Sequence, residues 1–158
     1  MKNQFELKNK NSLITGAAGL LGEQHARAIL EVNGRVILVD INLASLKKLR
    51  ERLLKDFSSD KIIIYKMDVT SEISIKKVIK ILKKKKISVD ILINNAALNP
   101  KPNLNSKKNN LENFLKDDWN NEINVGLTGY FLCIKYFGFQ MAKQNKGVIL
   151  NISSDLSV

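Results

Sequence analysis

Eight consecutive residues, Thr15-Gly16-Ala17-Ala18-Gly19-Leu20-Leu21-Gly22, have the types and spacing to hold a phosphate. They join a short apolar run to a helical pattern, the setting in which glycine spacing acquires meaning. Gly16 permits a tight turn, Gly19 lets backbone approach a pyrophosphate, and Gly22 lets helix and strand pack closely. The first helical amides, at Leu20, Leu21 and Gly22, then point at the anion. Asp40, with Ile41 beside it, ends the next apolar run 18 residues after Gly22. A carboxylate there accepts both ribose hydroxyls of an adenosine and repels a 2′-phosphate, so NAD is expected rather than NADP. Other chemistries lack their parts. His25 is the only histidine and Cys133 the only cysteine, which leaves no metal site, disulfide framework or serine triad.

These residues need a scaffold, and the chain has the length for one. Its 158 residues, 44% of them hydrophobic, suit a single soluble domain. No apolar run is long enough to span a membrane, and residues 1–10 lack the apolar stretch of a secretory signal, so the cytoplasm is expected. The net charge of +11 invites a nucleic-acid reading. Yet only four of the 26 basic residues are arginine, the residue that reads guanine and phosphate in bidentate fashion. The lysine run at residues 83–86 closes a helical pattern, where cations complement the helix dipole. A solvated basic face, without specific nucleic-acid binding, is expected.

Strands alternate with helices along the chain. Apolar runs at 12–15, 35–40, 61–66, 89–93 and 148–152 read as strands. Helical periodicity covers 20–31, 43–57, 72–84 and 119–144, the last interrupted near Gly126 and Gly129. The polar stretch 98–110, with both prolines, reads as a loop over the substrate side. Strands apolar on both faces imply a parallel sheet covered on both sides. The expected fold is an α/β doubly wound Rossmann sheet in strand order 3-2-1-4-5. Residues 1–10 are an N-terminal tail, and 11–158 are the dinucleotide-binding domain.

From about Asn11 onward the chain resembles the N-terminal part of a short-chain dehydrogenase/reductase. Asp68-Val69-Thr70 is similar to the family's adenine-pocket segment, where the Asp side chain and Val backbone hold the base. Asn94-Asn95-Ala96-Ala97 resembles the family's Asn-Asn-Ala-Gly, which lies against the cofactor ribose. Trp119-Asn120 and Leu127-Thr128-Gly129 match the long helix bordering the active site. Asn151-Ile152-Ser153-Ser154 resembles the segment bearing the catalytic serine, which makes Ser154 the residue aimed at the substrate. The resemblance thus implies cofactor contacts from Thr15, Gly16, Gly19, Leu20, Leu21, Gly22, Asp40, Ile41, Asp68, Val69, Asn95, Ala96 and Ala97. It implies hydride transfer between a nicotinamide cofactor and a small alcohol or carbonyl, sugar derivatives included. In the family the long helix pairs with its symmetry mate, so a homo-oligomer through residues 119–144 is implied as well.

Three departures qualify the match. The spacing Thr-Gly-x-x-Gly-x-x-Gly is that of the family's extended, epimerase-like branch, while the other motifs are those of the compact branch. Gly126 stands where the family's active-site asparagine precedes Leu-Thr-Gly, and Asn124 lies about 200° around a helix from it. The family's Tyr-x-x-x-Lys pair follows the serine by about a dozen residues, whereas residue 158 is four beyond Ser154. Tyr65, Tyr130 and Tyr136 are followed four positions later by Val69, Ile134 and Gln140. The expectation is therefore a truncated chain that binds cofactor without turnover. Two alternatives stand beside a reductase: a sugar-nucleotide epimerase or dehydratase, and a non-catalytic NAD-binding module.

Overall fold

The computed structural model describes residues 5–98 and 111–153. Five parallel strands form one sheet in the order β3-β2-β1-β4-β5, as the alternation predicts. They are β1 (Asn11–Thr15), β2 (Arg35–Asp40), β3 (Ile62–Lys66), β4 (Ile91–Asn94) and β5 (Val148–Asn151). The register sets Leu13 beside Ile37 on one side and Leu92 on the other. Because strand side chains alternate between faces, β2 supplies both cores. Val36 and Leu38 meet α1 (Leu20–Glu31) and α2 (Leu43–Leu53) through Ala26, Leu30, Leu46, Leu49 and Leu53. Ile37 and Val39 meet α3 (Glu72–Lys84) and the long helix through Ile75, Val78, Leu132 and Phe137. Each of the Val, Leu, Ile and Phe side chains among these, fully buried, contributes roughly 1.5–3 kcal/mol.

The long helix runs continuously from residue 116 to residue 143, as α4 (Lys116–Ile123), α5 (Gly129–Cys133) and α6 (Phe139–Lys143). Two π-helical turns, Asn124–Thr128 and Ile134–Gly138, join these pieces. The predicted interruption at Gly126 and Gly129 is therefore corrected. Asn124 and Gly129 keep right-handed helical angles, and the strain is absorbed by widening the turn instead of breaking it. The helix also begins three residues earlier than predicted, with Asp117 and Asp118 in its first turn.

Two further boundaries shift. The helix predicted over 43–57 stops at Leu53, yet Phe57 folds back, its amide on the Leu53 carbonyl at 2.9 Å, and still packs on the core. Strand β4 begins at Ile91 because Asp90 has another task. Its backbone and carboxylate bond to the Asn11 carbonyl and amide, at 2.9 and 3.0 Å, and its carbonyl accepts from Val148. The inner end of the N-terminal tail is fastened as well: Leu7 N donates to Val32 O at 2.8 Å, and Arg35 N to Lys10 O at 2.9 Å. Among the described residues no helix is long and apolar enough to cross a membrane.

Candidate dinucleotide site

The strand order reverses between β1 and β4, and there the C-terminal strand ends leave a crevice. Gly16 turns the chain out of β1 with φ +59°, a conformation glycine adopts without strain. A Cβ on Gly16 would stand 2.7 Å from Ala96 Cα, so the loops after β1 and β4 touch through backbone. Thr15 locks that contact. Fully buried, its hydroxyl accepts from the amides of Asn95 (2.9 Å) and Ala96 (3.1 Å) and reaches the Ile93 carbonyl at 3.4 Å. Asn95 returns the tie, its side-chain amide donating to the Thr15 and Gly16 carbonyls at 3.0 and 3.2 Å. Thr15 and the Asn95 side chain thus shape the loops from behind.

Asp40 crosses from β2 to the same loop. One carboxylate oxygen accepts the Ala18 amide at 3.1 Å, and the other the Asn42 amide at 2.9 Å. Each oxygen keeps a second lone pair for a ligand hydroxyl. Asp68, which lines the crevice, accepts both the Thr70 amide (2.9 Å) and hydroxyl (2.7 Å) on one oxygen. An open-sided cleft of about 170 Å³ results, lined by Gly16, Asp40, Ile41, Asp68, Val69, Ala96 and Ala97, with Met67, Leu98 and Val125. Seven of the residues named from sequence therefore converge in one place.

The others flank it. Gly19 caps α1, whose internal ladder starts with Glu23 N on Gly19 O at 3.2 Å, so the amides of Leu20, Leu21 and Gly22 precede it. The Leu20 and Leu21 side chains are exposed. Gly22 is required by packing: a Cβ would meet Ala17 Cα and Gly16 O at 2.6 Å. Ser154 lies outside the described residues, as do residues 99–110 of the predicted loop.

Sequence reasoning missed three features. Val125 reaches the cleft from the first π turn, a widening no residue pattern announces. Glycine at 129 brings the long helix onto Val69, whose Cγ2 would be 2.8 Å from an added Cβ. Third, Glu23 sits in the first turn of the phosphate-facing helix, where its charge would oppose an anion. Arg52 and Arg27 neutralise it, and a hydrogen bond from Arg52 holds its carboxyl below the usual range. Arg27 also pairs with Asp56 at 2.8 Å, so two of the four arginines serve an internal network. The i,i+4 spacing of Glu23 and Arg27 was a readable signal; the pairing with Arg52 was not.

A parallel sheet with this glycine loop and acidic strand end defines a Rossmann-type dinucleotide-binding domain. Comparison with known proteins narrows the class. The chain matches the short chain dehydrogenase family over residues 10–158, and it belongs to that family. It is 31% identical over 148 residues to an uncharacterized oxidoreductase of Thermotoga maritima, covering 94% of this chain and 54% of that one. It is 33% identical over 157 residues to the 3-oxoacyl-[acyl-carrier-protein] reductase FabG of the same organism, covering 98% of this chain and 59% of the relative. Among solved structures, gox2181 superposes with a TM-score of 0.83 at 26% identity, over 95% of this chain and 55% of that one. A putative gluconate dehydrogenase from Agrobacterium tumefaciens gives 0.79 at 25% identity, over 95% and 56%. The chain thus spans little more than half the length of these proteins. The family match does not favour the epimerase reading that the glycine spacing left open.

Proposed function

We propose that the protein is an NAD-dependent oxidoreductase acting on a small alcohol or carbonyl compound. The convergence of Gly16, Asp40, Asp68, Val69, Ala96 and Ala97 on one cleft carries this reading. The cleft fits the cofactor: its floor is bare backbone at Gly16, and its acceptors are carboxylates with free lone pairs. When bound, the nicotinamide supplies or accepts the hydride. In this reading the first amides of α1 face the pyrophosphate and Asp40 accepts the adenosine ribose hydroxyls. Asp68 and the Val69 backbone hold the adenine, and residues 95–97 lie along the second ribose. Ser154 donates a hydrogen bond to the substrate oxygen, stabilising charge as it develops. Sugar derivatives are among the substrates that fit this chemistry.

Asp40 supports NAD over NADP, because a 2′-phosphate would meet a carboxylate already fixed by two amides. Calorimetric titration checks this. NADH is expected to bind more tightly than NADPH, and Asp40→Ala to narrow the gap; tighter binding of NADPH by the wild type would overturn the assignment.

The same proposal includes a homo-oligomer through the long helix. Leu115, Trp119, Ile123, Leu127, Phe131 and Phe139 are exposed and repeat every four residues or a multiple of four. A four-residue step drifts about 40° around an α-helix, and the wider π turns counter that drift, keeping the stripe on one side. Phe137 and Met141 face inward to the core. Sedimentation over a range of concentrations checks the assembly. A small-molecule substrate, no specific nucleic-acid partner and a cytoplasmic location complete the reading. The single thiol, Cys133, is buried, and desolvation pushes its pKa up to about 12.

A further inference from the structure

Strand β5 is held at its end by polar ties more than by packing. Val148 is 61% exposed and Leu150 48%. Beyond the strand, Ile152 is gripped from both sides. Its amide donates to the Asn94 carbonyl at 2.9 Å, and its carbonyl accepts the Tyr130 hydroxyl at 3.1 Å. Beside it the Asn94 side-chain amide donates to Asn151 Oδ1 at 2.8 Å. Tyr130 belongs to α5, half-buried, one turn after Gly126, where an added Cβ would meet nothing within 4 Å. The helix therefore presents an open notch and, one turn on, a hydroxyl fixed to the backbone two residues before Ser154.

We propose that Tyr130 is a positioning residue: its hydroxyl sets the direction in which the chain leaves β5, and so where Ser154 is presented. The proposal rests on the reading of Ser154 given above. The physical case is direct. A hydrogen bond to the Ile152 carbonyl fixes the plane of the peptide joining residues 152 and 153. Without it that carbonyl is free to turn toward water, and the plane of that peptide turns with it. A displacement on the order of an ångström at a reacting group can cost up to about 100-fold in rate.

The test uses the protein expressed from its complete gene, with Tyr130→Phe, which removes only the hydroxyl, and Ser154→Ala beside it. NADH-dependent reduction over a panel of carbonyl compounds gives kcat and KM, titration gives NADH affinity, and hydrogen exchange reports residues 151–153. Y130F is expected to lower kcat about tenfold while leaving NADH affinity unchanged. Its amides at 151–153 should exchange roughly three- to tenfold faster, the worth of one hydrogen bond. Ser154→Ala is expected to lose about 100-fold or more. If S154A is impaired while Y130F keeps wild-type kcat or wild-type exchange, the positioning role is overturned. If Y130F loses kcat and NADH affinity together, it is overturned too, since a general structural loss then explains both. If S154A is as active as wild type, the reading of Ser154 fails, and the proposal falls with it for that separate reason.

Discussion

Strands β2 and β5 have similar compositions and opposite surroundings. In β2, Val36, Ile37, Leu38 and Val39 are fully buried between neighbouring strands and two helical layers. In β5, Val148, Ile149 and Leu150 pair with β4 on one side only and remain exposed. An apolar run on both faces is the composition of an interior strand, and β5 carries it at an edge. On the side of the sheet that holds the glycine loop, β1 and β2 are enclosed. The half that leads to Ser154 presents apolar surface along both β5 and the long helix, which is the basis for proposing that another surface covers it. Composition thus reports how a strand is meant to be buried, and topology decides whether it is.

The sharpest way to break this comparison is to remove the same side chain from both strands. Leu38→Ala should cost about 2–5 kcal/mol, because it leaves a cavity in a closed core. In the unassembled chain, at concentrations too low for oligomers, Leu150→Ala should change stability by less than about 0.5 kcal/mol, as surface substitutions do. Urea unfolding of both variants measures the pair. Equal losses would mean that β5 is covered in solution, and its exposure would then disappear in the assembled state.

A somewhat smaller effect is expected at the joint between the halves. Thr15→Val keeps shape and removes the hydroxyl that serves the Asn95 and Ala96 amides. Leaving buried donors unsatisfied costs about 1–3 kcal/mol, and the loop after β4 should loosen with it. Both a lower urea midpoint and weaker NADH binding are expected, since Ala96 and Ala97 line the cleft. A stability loss with unchanged NADH affinity would separate the joint from the site.

What was legible in the sequence follows from the range over which each feature is encoded. Strands and helices were readable because their periods are local, and the cleft residues because Rossmann sheets gather ligands at strand ends. The glycine loop, Asp40 and Ala96 were therefore found before they were seen to meet. The apolar pattern places Asp90 inside a strand, since nothing local marks a carboxylate that bonds to Asn11, 79 residues away. The motif makes Thr15 a cofactor contact, while its tie to Asn95, 80 positions on, has no local signal. The π turns were missed for another reason: glycine signals weakness in a helix, and here the helix widens at Gly126 without stopping.

The smallest effect lies on the face where the long helix meets α3. Glu72 accepts a hydrogen bond from Tyr136 and pairs with Lys135 and Lys76, each at 3.2 Å. The Tyr136 hydroxyl first, then the two ammonium groups, lower its carboxyl from 4.5 to about 2. A depressed carboxylate contributes stability that is present above its unfolded value and lost as pH falls through its folded one. The contribution of Glu72 is therefore whole at neutral pH and disappears between 4.5 and about 2. Glu72 is open to water, so screening keeps the effect slight, and added salt should shrink it further. Replacing Glu72 with Gln keeps the acceptor for Tyr136 and removes the charge. Urea midpoints of wild type and E72Q should differ at neutral pH and draw together as the pH approaches 2. Midpoints that already coincide at neutral pH would show that shape and the tyrosine bond hold the long helix on α3, with the ion pairs contributing nothing.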